Sequence, residues 1–312
     1  MKIKMQAIEL LGDFFEHVKS RGFTFPQFTD SEEIVIFSDY SGDRPEDRHH
    51  SYSFYIVDRK ILHDISFDII HLRNSEIALN HKSFIEFKKL SQDSLRQRIL
   101  PKFLEIFDNY EGLVITILID ENSPDYFLKV NNKIAKQMEG LGFGTWKDHI
   151  LRKACNILSI MAFLAKTFLD KNKTLTWYSD RDDIFGGNQS QRKETLDMFC
   201  QFLKMFEVKM KGNSVRFISD KGTPLNSDFL AIPDLSAGGV LDYYQILYHG
   251  QSGVMKDYKK EIMGWMNLNS TKLKKLMVIG QEADNKKQLI LLNNYTVKTN
   301  QTDIYGMNIK DS

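Results

Sequence analysis

The run Leu113-Val114-Ile115-Thr116-Ile117-Leu118-Ile119, followed directly by Asp120, decides the fold class. It is rich in β-branched residues and apolar at nearly every position, which is typical of a strand covered on both faces of a sheet. A strand buried in this way needs helices on each side of its sheet. The run therefore predicts an α/β protein with a sheet at its centre.

Further strands and helices are predicted on both sides of this run. Short β-branched and aromatic runs predict strands at 34–37, 52–57, 175–179 and 215–218, and 61–70 is interpreted as a strand that completes an antiparallel meander. Helical periodicity predicts helices at 5–21, 84–110, 124–139, 146–170, 191–206 and 232–248, with a break at Pro101 and a start near Pro233. Short strands are also expected at 278–280, 289–292 and 295–298.

This order of elements predicts a ribonuclease H-like mixed sheet, in which an antiparallel meander continues into parallel strands, with flanking helices. By this count the strand that ends at Asp120 is the fourth, and the fourth strand of such a sheet lies beside the first. We expect an N-terminal helix and loop at 1–30, the ribonuclease H-like core at 31–249, and a C-terminal extension at 250–312, partly helical with short strands.

The composition limits the classes of partner. The 312 residues carry 42 basic and 41 acidic side chains, for a net charge of +1, so an anionic partner must be bound by a local patch. The two cysteines suggest a reducing compartment and provide no disulfide framework. The N-terminus lacks an apolar signal region, and no apolar run is long enough to span a membrane. We therefore expect a cytoplasmic protein without a membrane partner.

Acidic residues recur where the predicted strands end. Asp39 follows the first strand, Asp120 ends the central run, and Asp180 and Asp182 follow the strand at 175–179. Because the carboxyl ends of neighbouring parallel strands meet at one edge of a sheet, these side chains are expected to converge. Oxygen ligands of this kind suit Mg²⁺ or Mn²⁺, and two such ions can activate water against a phosphodiester. The sequence predicts a metal site that includes Asp39, Asp120 or Asp180, and Asp234.

Each of these acids also has a purely structural interpretation. Aspartate is common in turns and at helix N-caps, where its carboxylate accepts backbone N–H groups. Glu86 is expected near the buried face of a helix, but it could also stabilise the first helical turn through the helix dipole. Asp234 could cap a helix that starts at Pro233, although the small residues after it predict close helix packing.

Four segments together resemble the DUF3800 proteins, a bacterial family with a ribonuclease H-like fold. Phe37-Ser38-Asp39-Tyr40-Ser41-Gly42-Asp43 resembles the D-E-S-G opening of that family, and Glu86-Phe87-Lys88 is similar to its E-x-K element. The segment from Trp177 to Ile184 resembles a W-x-x-D-x-D-x-I motif, and Pro233-Asp234-Leu235-Ser236-Ala237-Gly238 is similar to A-D-L-x-A-G. The resemblance covers residues 33–248, about two-thirds of the chain.

The resemblance implies metal-dependent nuclease activity and a role in defence against phage or mobile elements. It implies that Asp39, Glu86, Asp182 and Asp234 are site residues, and it favours Asp180 and Asp182 over Asp120 as the third acid. One departure stands out, because Tyr40 occupies the position where the family usually has glutamate. Asp43 is a candidate to replace that missing carboxylate.

Basic and histidine clusters are secondary candidates for binding. Lys256, Lys259 and Lys260 lie near Tyr258 and Trp265, and Lys272, Lys274 and Lys275 form a second group. Interleaved lysine and aromatic side chains can follow a nucleic-acid strand, while the alternative is a solvated helix face. His49 and His50 could ligate a metal, and a solvated loop is the preferred interpretation.

The leading hypothesis is therefore a metal-dependent nuclease that acts on DNA or RNA, with a protein partner or a second copy also considered. The alternative is a catalytically silent ribonuclease H-like module that binds nucleic acid or a partner protein within a larger complex, and the tyrosine at position 40 favours it. A third hypothesis is a metal-dependent enzyme that acts on a small phosphorylated nucleotide. Metal affinity separates the first hypothesis from the second.

Overall fold

A computed structural model gives the fold, and every structural statement below concerns the residues that it describes. These are residues 6–43, 47–75, 85–120, 122–123, 126–128, 132–140, 142–180, 182–185, 189–217, 224–249, 255–268, 270–283 and 286–292. No helix in these ranges is both long enough and apolar enough to cross a bilayer.

The described strands form one mixed sheet of seven, in the order β5-β4-β1-β2-β3-β6-β7. The β1–β2, β2–β3 and β6–β7 pairs are antiparallel, and the β1–β4, β4–β5 and β3–β6 pairs are parallel. As a result β1, β3, β4, β5 and β6 all run in one direction, and their carboxyl ends share one edge of the sheet. The strand bounds are β1 Glu33–Ser41, β2 His49–Asp58, β3 Gly112–Asp120, β4 Thr174–Ser179, β5 Gly212–Phe217, β6 Leu273–Ala283 and β7 Lys286–Leu291.

Helices cover both faces of this sheet, as the apolar run in β3 predicts. One core packs on one face and includes side chains of α1 Gln6–Ser20, α5 Asn132–Gly140, α6 Asp148–Phe168 and α7 Gln189–Met205. The other core packs on the opposite face and includes side chains of α2 Leu62–Ser75, α3 Phe87–Leu90, α4 Ser94–Asp108, α8 Pro224–His249 and α9 Asp257–Asn267. The prediction of an α/β protein with a mixed sheet and flanking helices is confirmed.

The predicted third strand at 61–70 is wrong, because this segment forms a short 3-10 turn and then the helix α2. Leu62, Ile65 and Ile69 of α2 face the core at helical spacing. Phe67 and Ile70 are also apolar but lie 66% and 50% exposed on the other side of the helix. With apolar residues on both sides, the sequence shows no clean helical periodicity. The third strand of the meander is instead β3, the run that ends at Asp120.

Two helices differ from the prediction at a proline. Pro101 lies inside α4, and the break in the segment 84–110 falls at 91–93, where the Asp93 carboxylate caps α4 through the backbone N–H of Arg96 (2.9 Å). Pro233 lies inside α8, which begins nine residues earlier at Pro224. Asp234 is therefore a residue of the helix interior, and its interpretation as a first-turn or capping residue is wrong.

The C-terminal part of the chain contributes to the same sheet. β6 pairs in parallel with β3 from Leu273 opposite Gly112 to Gly280 opposite Ile119, and β7 pairs with β6. β6 is longer than the short strand expected at 278–280, and the strand expected at 295–298 lies outside the described residues. The sheet thus extends from the predicted core into the predicted C-terminal extension.

Candidate carboxylate site

Asp39 and Asp180 lie side by side at the edge where the parallel strands end. Ser38 of β1 pairs with Ser179 of β4, and the backbone N–H of Asp180 donates to the Ser38 carbonyl (3.4 Å). Asp180 is therefore level with Asp39. Side chains alternate along a strand, so Asp39 projects towards the same face as Phe37, which packs against Phe229 of α8.

Asp234 reaches this face from α8. Its carboxyl group forms a hydrogen bond with that of Asp39, and its Oδ2 also accepts the backbone N–H of Phe87 (2.7 Å). Close packing makes this approach possible, because a Cβ atom on Gly238 would overlap the Phe87 ring. A strand end, a helix interior and the start of α3 thus meet at the Asp39–Asp234 pair.

The pair holds a proton more tightly than ordinary carboxyl groups do. Burial raises the pKa of Asp39 well above its usual value, and the charges of Asp234 and Asp180 raise it further. Burial also raises the pKa of Asp234 to about 6, although the Phe87 N–H bond opposes this shift. Two carboxylates this close repel each other unless they share a proton or a cation.

Glu86 lies beside this pair and faces solvent. It precedes α3 with extended backbone angles, and its charge adds to those that raise the pKa of Asp234. Its carboxylate forms an ion pair with Lys89, and the Glu86 side chain is 42% exposed. Asp180 is also exposed, and its charge acts on both Asp39 and Asp234. The structure therefore brings together Asp39, Asp180, Asp234 and Glu86.

Asp120 lies apart from this cluster. Its strand, β3, is separated from β1 by β2, so the prediction that it would lie directly beside the first strand is wrong. The Asp120 Oδ1 accepts the backbone N–H (2.7 Å) and the side-chain amide (2.9 Å) of Asn122, which stabilises the turn after β3. The error in position follows from the misassigned strand at 61–70, which made β3 the fourth strand instead of the third.

Asp182 points towards the other helical layer. Its Oδ2 accepts a hydrogen bond from Lys153 Nζ of α6 (2.7 Å), and its Oδ1 accepts the Ile184 N–H (3.1 Å). Lys153 also binds both oxygens of Asp43, at 2.9 and 2.8 Å. Asp43 and Asp182 are thus joined to each other through a lysine. Sequence reasoning missed Lys153, although it directly precedes the apolar run Ala154–Ala165 of α6, which only Asn156 and Ser159 interrupt.

Tyr40, at the position where the resembled family has glutamate, belongs to a buried hydroxyl network. Its hydroxyl group lies 2.8 Å from Ser38 Oγ, which also accepts the Trp177 indole N–H (2.8 Å). Burial raises the pKa of Tyr40 above its usual value, so this side chain stays neutral. Tyr40 therefore adds no negative charge near Asp39.

Four of the secondary candidates, Lys275, Tyr258, Trp265 and His49, are buried. Lys275 is fully buried and forms an ion pair with Asp108 (2.7 Å), and the Trp265 indole donates to the same carboxylate (3.0 Å). Trp265 and Tyr258 are each 6% exposed, so neither ring can stack on a base. His49 begins β2 and packs against Tyr244, so the interpretation of His49 and His50 as a solvated loop is wrong.

The donor set at the Asp39 site fits a hard divalent cation, since it consists of carboxyl oxygens from three elements and carries excess negative charge. Among the described residues, however, no three His, Cys, Asp or Glu side chains are already grouped around one ion position. The exposed side chains of Asp180 and Glu86 would have to turn towards the Asp39–Asp234 pair. A bound cation would then replace the proton that the pair holds.

Comparisons with known proteins assign no family to this chain. The sequence matches no protein-family model, and it matches no curated protein.

Proposed function

We propose that the protein is a metal-dependent nuclease with a ribonuclease H-like core. In this proposal the acidic cluster of Asp39, Asp180, Asp234 and Glu86 binds Mg²⁺ or Mn²⁺. One observation carries the proposal: the Asp39–Asp234 pair lies at the shared edge of the parallel strands, close enough to Asp180 for its charge to act on both carboxyl groups. The strand order β3-β2-β1-β4-β5, with an antiparallel meander followed by parallel strands, supports the fold assignment. Ligand sites at such an edge are the general rule in α/β sheets.

The positions of the DUF3800-like segments also support the proposal. The segments around Asp39, Glu86, Asp180 and Asp234 are far apart in the sequence, and each contributes an acidic residue to one cluster. Asp182 lies in one of these segments but binds Lys153 instead. We therefore propose Asp39, Asp180, Asp234 and Glu86 as the metal ligands and assign Asp182 a different role.

The proposed chemistry is hydrolysis of a phosphodiester bond in a polynucleotide. A divalent cation in this cluster would supply an activated water and neutralise the charge that develops on the leaving oxygen. Asp39 and Asp234 hold their oxygens in fixed positions, because the Tyr40 N–H (2.8 Å) and the Phe87 N–H (2.7 Å) each bind one of the carboxylates. Such fixed ligands favour one geometry for the ion.

Asp39→Asn tests the proposal, with Asp120→Asn as its matched control. Both residues are acids at a strand end on the same edge, but only Asp39 lies in the cluster. We expect Asp39→Asn to lower Mn²⁺-dependent cleavage of a mixed panel of DNA and RNA by a factor of about 100 or more. Asp120→Asn keeps the Oδ1 acceptor of its turn and should leave cleavage unchanged.

Calorimetry with Mn²⁺ supplies the second readout. The wild-type protein and Asp120→Asn should bind Mn²⁺, while Asp39→Asn should not. Wild-type cleavage by Asp39→Asn would refute the assignment of this site. A panel that also contains mononucleotides separates a polynucleotide substrate from a small phosphorylated one.

A catalytically silent module is the second candidate. Two observations favour it, namely the neutral, buried Tyr40 and the use of Asp43 and Asp182 to bind Lys153. This candidate predicts that wild-type protein binds a nucleic acid or a partner protein without measurable Mn²⁺ affinity. The same calorimetric titration therefore decides between the two functions.

A further inference from the structure

Lys153 occupies a buried position between two segments that follow neighbouring strands. Its ammonium group lies 2.8 Å from Asp43 Oδ2, after β1, and 2.7 Å from Asp182 Oδ2, after β4. The side chains of Lys153 and Asp182 are only 10% and 11% exposed. The Tyr40 ring of β1 lies beside the same ammonium, with its centroid 5.8 Å from Nζ. Lys153 therefore contacts both the segment that follows β1 and the segment that follows β4.

The charge on Lys153 is maintained despite its burial. Burial by itself would lower the pKa of Lys153, but the charges of Asp182 and Asp43 raise it above its usual value. His50 Nδ1 also lies 3.8 Å from Asp43 Oδ1. An ammonium that stays charged keeps both carboxylates bound, and charge-assisted hydrogen bonds of this length are the strong ones.

Asp182 also forms hydrogen bonds within the segment after β4, so its contact with Lys153 fixes that segment. Besides binding Lys153, its Oδ1 accepts the Ile184 N–H (3.1 Å) and its backbone carbonyl accepts the Phe185 N–H (3.0 Å). The Ile184 carbonyl in turn accepts the hydroxyl group of Thr195 in α7 (2.5 Å). Asp180, two residues before Asp182, is thereby attached to a fixed segment although its own side chain is exposed.

We infer that Lys153 is a positioning residue, which ties the segment after β1 to the segment after β4 and so keeps Asp180 beside Asp39. Only the part of this inference that concerns metal binding rests on the proposed function. Lys153 itself is no metal ligand, and it acts through Asp43 and Asp182. Groups that orient metal ligands typically change metal affinity by about 10- to 100-fold when removed.

Lys153→Met tests the inference, because methionine keeps most of the aliphatic stem and removes the ammonium group. We expect the backbone amides of Ile184 and Phe185 to lose hydrogen-exchange protection by about 10-fold or more in the metal-free protein. We also expect Mn²⁺ affinity to fall by about 10- to 100-fold. Lys153→Arg preserves the charge and should restore most of both properties.

Two further variants keep the test decisive. Lys259→Met is the matched control, since Lys259 forms a comparable, partly buried ion pair with Asp242 (2.5 Å) between α9 and α8. It should leave both readouts at the wild-type level. If Lys153→Met fails to fold, the double variant Lys153→Met/Asp182→Asn replaces it. The second substitution removes the carboxylate that would otherwise stay buried without its ammonium partner.

The two readouts separate the inference from the proposed function. A folded Lys153→Met or double variant with wild-type exchange protection overturns the inference, and so does lost protection together with wild-type Mn²⁺ affinity. Wild-type protein that binds no Mn²⁺ refutes the proposed function instead. In that case exchange at Ile184 and Phe185 still decides whether Lys153 fixes the segment after β4.

Discussion

At the scale of single residues, the acids near the carboxyl edge of the sheet differ in what their carboxylates bind. Asp39 and Asp234 bind each other, Asp43 and Asp182 bind Lys153, and Asp120 binds its own turn. All five follow or approach the same edge of the sheet. The residue type alone therefore does not define the site, because the partner of each acid decides whether its oxygens are available to a ligand.

The Asp39–Asp234 pair predicts a pH dependence of stability. In the unfolded chain a carboxyl group titrates near 3.8, whereas the pKa of Asp234 in the folded protein is raised to about 6. The folded protein therefore binds more protons between these values, and the stabilisation is complete below the lower value and lost as the pH rises through about 6. We expect the metal-free protein to lose about 1–2 kcal/mol of unfolding free energy through this pair between pH 5 and pH 8.

Urea unfolding with a chelator present, at pH 5 to 8, measures this effect. The double variant Asp39→Asn/Asp234→Asn should lack the loss, and Asp120→Asn should retain it. Other titrating groups contribute equally to all three proteins, so the difference between the curves isolates the pair. Identical pH profiles for the wild-type protein and the double variant would contradict the prediction.

The relative position of two acids was predictable from the sequence where each acid follows a correctly assigned strand. Asp39 and Asp180 were both candidates, and the structure places them level with each other. The expectation that the strand ending at Asp120 lies beside β1 was wrong, because one misassigned strand shifted the count. The contact between Asp39 and Asp234 depends on how α8 crosses the sheet, which no local pattern in the sequence encodes.

At the scale of elements, the packing of α8 brings Asp234 and the start of α3 to the site. This helix packs on β1, β2 and β3, and its small residues allow α3 and α9 to approach closely. A Cβ atom on Gly238 would overlap the Phe87 ring, and one on Gly239 would lie 2.7 Å from Ile262 Cγ2. The start of α3, including the N–H group that binds Asp234, is held by this close packing.

Gly238→Ala should therefore destabilise the protein, although alanine favours helix formation. Moving the Phe87 ring in a packed core costs about 1–3 kcal/mol. Gly12→Ala is the control, since its added Cβ meets nothing within 4 Å on α1 and should stabilise the protein by about 0.5–1 kcal/mol. Urea unfolding of both variants checks the sign, and a stabilised Gly238→Ala would show that α3 can shift without cost.

Helices were predictable from the sequence where the apolar pattern allows one assignment. α1, α6 and α7 each lie within two residues of their expected bounds. Apolar residues recur at helical spacing in α1 and α7, whereas α6 contains an apolar run too long for a strand, buried at every position from Ala154 to Ala165. α2 was mistaken for a strand because Phe67 and Ile70 are apolar on its exposed side. α8 was found only from Ile232 onwards, since proline at 233 is typical of a helix start and here lies inside the helix.

At the scale of the whole molecule, the C-terminal strands complete the sheet. On β6 the side chains of Leu273, Leu276, Met277, Val278 and Ile279 are at most 1% exposed. Burial of each contributes about 1.5–3 kcal/mol. Together they are comparable with the entire stability of a typical domain, about 5–15 kcal/mol. The fold therefore depends on residues beyond the core expected at 31–249.

A chain that ends at residue 249 should fail to fold as a soluble monomer. It would leave the hydrogen-bonding edge of β3 open along eight paired positions, from Gly112 to Ile119, and expose the apolar side chains that β6 covers. A chain that ends at residue 292 keeps every described element and is the control. Size-exclusion chromatography and thermal unfolding by circular dichroism measure the outcome, and a monomeric, cooperatively unfolding 1–249 chain would contradict the prediction.

Because β1, β3 and β4 run in the same direction, the two edges of the sheet should differ in how well their loops tolerate insertions. The acidic cluster and the contacts of Lys153 lie at the carboxyl edge, so an insertion into a loop there would disturb several interdependent contacts. The opposite edge carries exposed connections such as Arg59 and Lys60 after β2, and Lys171 and Asn172 before β4. Longer connections, or domains inserted at these positions, should leave the acidic cluster unaltered.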